Sequence, residues 1–215
     1  MLVLYGTIEP DVYLNFHPSY DQYTPATIAL VERCISMIPT LKSFELHGYG
    51  SFFLLDRPQS PAPELQRLNL AGSQHAPIRT ISNKLFNGHA PELRELRLSF
   101  MTIDLSSPLL SRLEVFEISS SDSSTPPTQP LDRWLFAFSN MPRLRKVYLH
   151  HVIKPTPRDA DDHLFINAHL PDLSRMTVVF PSSREAHDGK RIREHIIAPP
   201  SADIDIFAPM YHERV

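Results

Sequence analysis

One pattern of apolar and polar positions recurs along this chain. It consists of an apolar anchor, two polar residues, a second apolar residue, one polar residue and a third apolar residue, as in LRELRL at residues 93–98. Successive side chains of a strand point to opposite faces, so the second and third apolar residues share one face. Each copy therefore predicts a short strand that buries one face and exposes the other.

Six copies of the pattern are present, and their anchors are Leu41, Leu65, Leu93, Leu113, Leu144 and Leu173. Successive anchors lie roughly 20 to 31 residues apart, which is about the period of leucine-rich repeats. We therefore predict an α/β fold, an irregular leucine-rich-repeat solenoid over residues 1–180. It would hold a parallel sheet of about six to seven short strands, with short helices or loops on the convex side.

Three further elements follow from the hydrophobic periodicity. Alternating apolar residues at 11–17 predict a strand beside the first full repeat. Thr24 and Pro25 are a typical helix start, and helical spacing predicts that this helix runs to about Ile38. A second helix is predicted to begin near Pro130, because apolar residues then recur at helical spacing.

The remaining segments carry weaker patterns. Residues 78–86 fit one or two helical turns, and the polar residues 119–130 predict a mobile insert. Beyond residue 180 no further copy is recognised, so we assign residues 181–215 to a separate C-terminal part. We expect residues 183–197 to form a charged helix that caps the solenoid, and residues 198–215 to form a flexible tail.

Composition narrows the class of protein. The chain has 215 residues, a formal net charge of −3, 21 prolines and only 6 glycines. A slightly negative net charge does not favour binding to the negatively charged backbone of a nucleic acid. The single cysteine, Cys34, excludes an internal disulfide and is expected to be a buried structural thiol. No apolar run could span a membrane, and the segment 1–5 lacks the basic start of a signal peptide, so we expect an intracellular, cytoplasmic or nuclear protein.

The polar side of the predicted strands is the candidate protein-binding face. If the strands stack in parallel, Arg67 lies beside Glu95 on this face, and Tyr148 supplies an aromatic anchor. A solvated ladder of surface ion pairs, each worth at most about 1 kcal/mol, is the other interpretation of the same residues. The candidate residues on this concave face are Glu45, Arg67, Asn69, Glu95, Arg97, Glu117, Lys146, Tyr148, His150 and Arg175.

Catalytic chemistry has little support in the sequence. His150, His151, Asp161 and His163 contain the residue types of a zinc or iron site, which makes a small metal-dependent hydrolase the alternative function. Adjacent histidines on a strand would, however, point to opposite faces. The serines lack a nucleophile elbow, and no phosphate-binding glycine loop is present. We therefore predict no enzyme activity, no catalytic residue, no metal and no cofactor.

Three stretches carry a resemblance to a known family. Residues 86–98 (FNGHAPELRELRL), 107–113 (SPLLSRL) and 138–144 (FSNMPRL) resemble the repeat region of fungal F-box-like proteins, and the resemblance covers roughly residues 11–180. In that family an F-box docks on the adaptor of a cullin-type ubiquitin ligase, and the repeats capture the substrate.

The resemblance implies a substrate-recognition scaffold whose partner is a protein. No F-box pattern precedes the repeats, so we expect binding to the ubiquitin-ligase adaptor only of a longer form that carries an F-box. A truncated repeat fragment without independent function is the remaining alternative.

Overall fold

The computed structural model forms two compact units, Met1–Arg112 and Leu113–Val215. The residues that it describes are 11–16, 25–48, 59–72, 78–120, 129–157, 165–181 and 186–208.

The first unit contains a parallel sheet with the strand order β1-β2-β3-β5, and a separate parallel pair of β4 with β6. Its strands are β1 (Asp11–Phe16), β2 (Ser43–Gly48), β3 (Arg67–Ala71), β4 (Arg79–Ile81), β5 (Glu95–Ser99) and β6 (Met101–Ile103). Its helix is α1 (Pro25–Met37), and its 3-10 turns are Ile38–Thr40, Leu85–Gly88 and Pro108–Leu110.

The second unit repeats this design with the parallel order β7-β9-β12-β14. Two short parallel pairs, β8 with β10 and β11 with β13, lie on the return segments. The strands are β7 (Val115–Ser119), β8 (Gln129–Pro130), β9 (Lys146–His150), β10 (Ile153–Lys154), β11 (Ala168–His169), β12 (Arg175–Val179), β13 (Ile196–Ile197) and β14 (Asp203–Phe207). The helices are α2 (Leu131–Ser139) and α3 (Ala186–His195).

The predicted α/β class with parallel strands is confirmed, but the strand number was too low. Each unit contributes four main strands among the described residues, so there are eight instead of six to seven. Among these eight main strands the sequence pattern missed β14, in which Ile204 and Ile206 take the second and third apolar positions beside Met176 and Val178. Ser201 stands where the other copies have their leucine anchor. The segment 203–207 is therefore a strand and not the flexible tail that we expected.

The apolar residues of the repeats form aligned, buried rows within each unit. Every residue of the first such row is nearly inaccessible to solvent, because it packs against its neighbour on the next strand. In the first unit this row is Phe44, Leu68 and Leu96; in the second unit it is Phe116, Val147 and Met176. Burial of such a side chain contributes up to about 1.5–3 kcal/mol, so these rows are the main source of stability.

A repeated turn explains the proline that precedes most anchors. The N–H of Leu93 donates to the carbonyl oxygen of Ala90 at 3.1 Å, which closes a four-residue turn with Pro91 at its second position. Proline suits that position because its φ is already correct and no N–H is needed there. The same turn is closed by Leu41, Leu65, Leu144 and Leu173.

Neighbouring repeats are joined just after this turn. The N–H groups of Arg94 and Glu95 both donate to the carbonyl oxygen of Gln66, at 2.9 and 3.0 Å. In the second unit Arg145 and Lys146 donate in the same way to Glu114, at 2.8 and 3.0 Å. These shared carbonyl groups set the register of each strand against the preceding one.

Other expectations have mixed outcomes. The helices predicted near 25–38, after Pro130 and within 183–197 are present as α1, α2 and α3. The segment 78–86 is not one helix, because it contains β4 followed by the start of a 3-10 turn. Both ends of the insert 119–130 belong to strands, and its residues 121–128 lie outside the described part of the chain. Within the described residues no helix is long and apolar enough to cross a membrane.

Gly189 allows α3 to lie close to β14. A Cβ atom at this position would lie 2.8 Å from Cγ2 of Ile206, well inside the ordinary carbon–carbon contact distance. We therefore expect Gly189→Val to lower the free energy of unfolding by about 1–3 kcal/mol, measured by urea denaturation. The combination with Ile206→Ala, which removes Cγ2, should cost at least about 0.5 kcal/mol less than the sum of the two single changes. Strict additivity would contradict the close contact.

Candidate protein-binding face

The polar side of the first unit brings together the five residues predicted there. Arg67 and Glu95 are register neighbours on β3 and β5. Glu45, Asn69 and Arg97 form the next row across β2, β3 and β5. All five therefore share one face of the sheet, as the alternation in the sequence predicted.

The charges of this face are satisfied within the unit. We expected Arg67 to lie beside Glu95, and the two are register neighbours, but Arg67 pairs with Asp11 on β1. The distance between its guanidinium nitrogen and the carboxylate oxygen is 3.2 Å. Glu95 instead pairs with Arg97 on its own strand. Asn69 donates a hydrogen bond to Glu45 at 2.8 Å. Such partly exposed pairs contribute at most about 1 kcal/mol each, but they occupy the groups that a ligand would need.

The second unit brings together the other five predicted residues. Lys146 and Arg175 are register neighbours at the start of β9 and β12, and Glu117 is the register neighbour of Tyr148. His150 follows Tyr148 by two residues and therefore lies on the same side of β9. The predicted residues thus occupy one face in each unit.

The charges of the second unit are less completely paired. Among the described residues no carboxylate lies within ion-pair distance of the exposed Lys146. Arg175 contacts Asp203 and Asp205 on β14, but only at 3.9 and 3.7 Å, and 61% of its side chain is exposed. Pairs this long and this exposed are weak. Lys146 and Arg175 are therefore both exposed on this face.

Aromatic side chains line the other end of this face. Tyr148 is 37% exposed, and its ring stacks on His150 with 6.1 Å between ring centroids. Val179 and Phe207 continue the row of His150 across β12 and β14, and Phe207 is 52% exposed. The sequence did not identify Phe207 as part of the face, because β14 lacks the leucine anchor by which the repeats were recognised.

We had predicted that His150 and His151 point to opposite faces, and this prediction is wrong. Their rings stack with centroids 4.0 Å apart and planes at 24°. The reason is that His151 lies just beyond β9 with a φ of 57°, where the alternation of a strand no longer applies. His150 is held in place by Nδ1, which donates a hydrogen bond to the carbonyl oxygen of Ser120 at 3.0 Å.

Stacking makes this histidine pair a poor chelator. The lone pairs of the ring nitrogens lie in the plane of each ring. In two stacked rings these lone pairs therefore point in parallel planes and do not converge on one metal ion. Burial lowers the pKa of His151, and the neighbouring His150 lowers it further. Asp161 and His163 lie outside the described residues. Among the residues described, no group of three or more histidine, cysteine, aspartate or glutamate side chains could hold a metal ion.

Cys34 is buried in α1, as predicted. Burial raises the pKa of its thiol, although the nearby Arg33 has a smaller opposite effect. A raised pKa keeps the thiol protonated and therefore a weak nucleophile.

These features define a parallel α/β protein in which each unit buries one side of its strands and presents a polar side to solvent, which in the second unit also carries aromatic rings. No protein-family model, no curated protein and no solved structure matches the chain.

Proposed function

We propose that this chain is a leucine-rich-repeat-type solenoid that acts as a non-catalytic protein-binding scaffold through the polar face of its strands. The observation that carries the proposal is the repetition of one backbone unit in both halves of the chain. A proline turn leads into a short strand, one side of that strand is fully buried, and the other side carries charged and aromatic residues.

This arrangement suits the binding of another protein. A sheet of short parallel strands presents side chains from several repeats on one broad surface, which is how repeat proteins contact extended partners. Tyr148 supplies the kind of exposed aromatic side chain that often dominates the binding energy of protein interfaces. The face offers mixed charges and aromatic rings, which is typical of protein recognition and not of binding to a polyanion.

The biological role that we propose is substrate recognition for an F-box-type ubiquitin ligase in the cytoplasm or nucleus. The support for it is the resemblance of residues 86–98, 107–113 and 138–144 to the repeats of fungal F-box-like proteins. In this role the strand face would bind the substrate, and contact with the ligase adaptor would require an F-box in a longer form of the protein.

A binding experiment tests the scaffold function directly. Phage-displayed random peptides are selected on the full 215-residue chain, and the affinities of the enriched peptides are then measured for a variant that combines Arg97→Glu with Tyr148→Ala. These substitutions alter the strand face of both units, so we expect at least about tenfold weaker binding. The matched control is Arg133→Glu, an exposed position on α2 away from the strands, which should bind as the unaltered chain does.

Folding is checked separately by a thermal melt of each variant. The melting temperatures should agree within a few degrees, because the substituted side chains are exposed or half-exposed. The proposal would be wrong if the combined variant bound the selected peptides as tightly as the unaltered chain did, or if a folded chain enriched no peptide at all.

A further inference from the structure

The outer edge of β14 has no partner strand among the described residues. β14 ends the strand order of the second unit and pairs there with β12 alone. The N–H of Asp203 donates to the carbonyl oxygen of Ser174 at 2.9 Å, so Asp203 directs its backbone groups towards β12. Because successive residues of a parallel strand bond to opposite sides, the N–H and C=O groups of Ile204 and Ile206 point outward. The edge therefore presents two donors and two acceptors to a further strand.

The position of Ala202 favours a parallel strand at this edge. Ala202 precedes β14 as Gln66 precedes β3. The carbonyl oxygen of Gln66 accepts the N–H groups of Arg94 and Glu95, which join the next repeat in parallel register. The carbonyl group of Ala202 holds the equivalent place for a strand that follows β14.

The buried rows of the second unit are incomplete at the same edge. Met176 and Val178 on β12 are 0% and 1% exposed. Ile204 and Ile206 continue these rows on β14, but both side chains are only partly buried. A strand with apolar residues opposite the two isoleucines would cover them in the way that β14 covers β12.

The polar side of this edge is acidic. Asp203 and Asp205 alternate with the isoleucines and share one guanidinium, that of Arg175, at 3.9 and 3.7 Å. One cation between two carboxylates leaves a net negative charge beside an incoming strand. Lys146 would lie three strand spacings, about 14 Å, from that strand and contributes little. The charged residues of α3 lie on the opposite side of β14, where the helix packs on Ile206. Cations therefore suit the polar positions of an added strand.

A second copy of this chain fits the edge less well. Its β1 ends the strand order of the first unit and is the strand that could extend β14. Asp11 of β1 aligns with Ser43, two residues after a leucine anchor. Asp203 aligns with Arg175, which holds the same place in its repeat. The repeat register would thus set Asp11 directly beside Asp203, and like charges so placed destabilise a strand pair.

We propose that the outer edge of β14 binds an extended basic segment of a partner protein as an added parallel strand. That segment has lysine or arginine opposite Asp203 and Asp205, and apolar residues opposite Ile204 and Ile206. Its N–H groups donate to the outward carbonyl oxygens of the two isoleucines, and its carbonyl oxygens accept from their N–H groups. The surface is the edge of the sheet and not its polar face, so the inference goes beyond the proposed scaffold function and does not rest on it.

The test uses a fluorescein-labelled heptapeptide, and fluorescence anisotropy measures its binding to the full chain. The probe is Gly-Lys-Val-Lys-Val-Thr-Gly, whose alternating lysines and valines match positions 203–206. The charge control has glutamate in place of both lysines. We expect the probe to bind at least about tenfold more tightly than this control.

N-methylation of the peptide tests the strand pairing itself. In a parallel strand the N–H groups of the second lysine and of the threonine donate to Ile204 and Ile206, whereas those of the valines point away from β14. Methylation of the two donor nitrogens should weaken binding at least about tenfold, since it removes two hydrogen bonds. Methylation of both valine nitrogens is the matched control and should leave the affinity within about threefold. The reverse result would show antiparallel pairing and would overturn the proposed geometry.

Charge reversal on the protein locates the site. Asp203→Lys should weaken binding of the probe at least about tenfold and strengthen binding of the glutamate peptide, whereas a merely structural effect would weaken both. The matched control is Glu64→Lys, at an exposed turn position of the first unit, which should bind the probe within about twofold of the unaltered chain. Thermal melts of the two variants should agree within a few degrees, because Asp203 is 61% exposed.

The outcomes separate the edge from the polar face and from self-association. Unchanged binding of the probe to Asp203→Lys, or equal binding of the glutamate peptide, would overturn the basic-strand chemistry. The variant that combines Arg97→Glu with Tyr148→Ala should bind the probe within about twofold of the unaltered chain, and a larger loss would overturn the assignment to the edge. Self-association of the chain that the probe disrupts, seen by analytical ultracentrifugation, would assign the edge to a second copy and would also overturn the inference.

Discussion

Phe116→Ala is expected to lower the free energy of unfolding by about 3–5 kcal/mol. Phe116 is completely buried on β7, where it lies beside Val147 in register and contacts the ring of Trp134 at 6.1 Å between centroids. Truncation leaves a cavity between the sheet and α2 that the neighbouring strand cannot fill, because its position is set by the backbone ladder. The loss therefore includes both the transfer of the ring from water and the cost of the cavity.

Urea denaturation followed by the fluorescence of Trp134 measures this effect. Trp134 is the only tryptophan of the chain and lies in the second unit, so the signal reports the unfolding of the unit that contains Phe116. The control is Lys146→Ala on the neighbouring strand, whose exposed side chain should contribute no more than about 0.5 kcal/mol. A cost below about 1 kcal/mol for Phe116→Ala would contradict the buried row on which the repeat architecture depends.

Asp188→Ala is expected to cost about 3 kcal/mol of unfolding free energy. The carboxylate of Asp188 is fully buried in the first turn of α3 and accepts a hydrogen bond from the backbone N–H of Thr156 at 3.0 Å. It also lies 3.6 Å from Nε2 of His187 and 3.9 Å from the guanidinium of Arg191. Removing a buried hydrogen-bonded charge leaves its former partners without compensation, and the cost is several kcal/mol.

The matched control for this change is Asp188→Asn. The amide keeps an oxygen that can accept the hydrogen bond from Thr156, so most of that bond should survive while the charge is lost. We expect Asp188→Asn to cost less than Asp188→Ala in urea denaturation, and amide hydrogen exchange at Thr156 should accelerate more in the alanine variant. Equal stability of the alanine variant and the unaltered chain would show that α3 is not attached to the return segment by this carboxylate.

Much of this fold was predictable, because its repeats rely on local chemistry. Each leucine anchor and each alternating pair of apolar residues identifies a strand, and the proline before the anchor identifies the turn that begins it. These signals lie within eight consecutive residues, so one sequence is enough to read them. The ten candidate residues, chosen by the same alternation, lie on the polar side of the strands in the two units.

The departures have two causes, a contact between residues distant in the chain and a local backbone angle that the strand pattern does not include. Arg67 reaches Asp11 across β2 because Ser43, the small residue between them in register, leaves room for the guanidinium. The stacking of His150 on His151 depends on a single positive φ at the end of β9. No periodicity in the sequence predicts either arrangement.

The sequence alone determined the short strands and the separation of an apolar face from a polar face, because these follow from the order of residues within each repeat, and the recurrence of the repeat predicted their parallel arrangement. Only the tertiary structure decided that residues 203–207 form an additional strand. Without a leucine anchor, that strand is stabilised by register against β12 and by contact with Gly189 of α3. The tertiary structure likewise decided which charges of the polar faces are already paired, since a pair such as Arg67 with Asp11 depends on distances between strands and not on spacing along the chain.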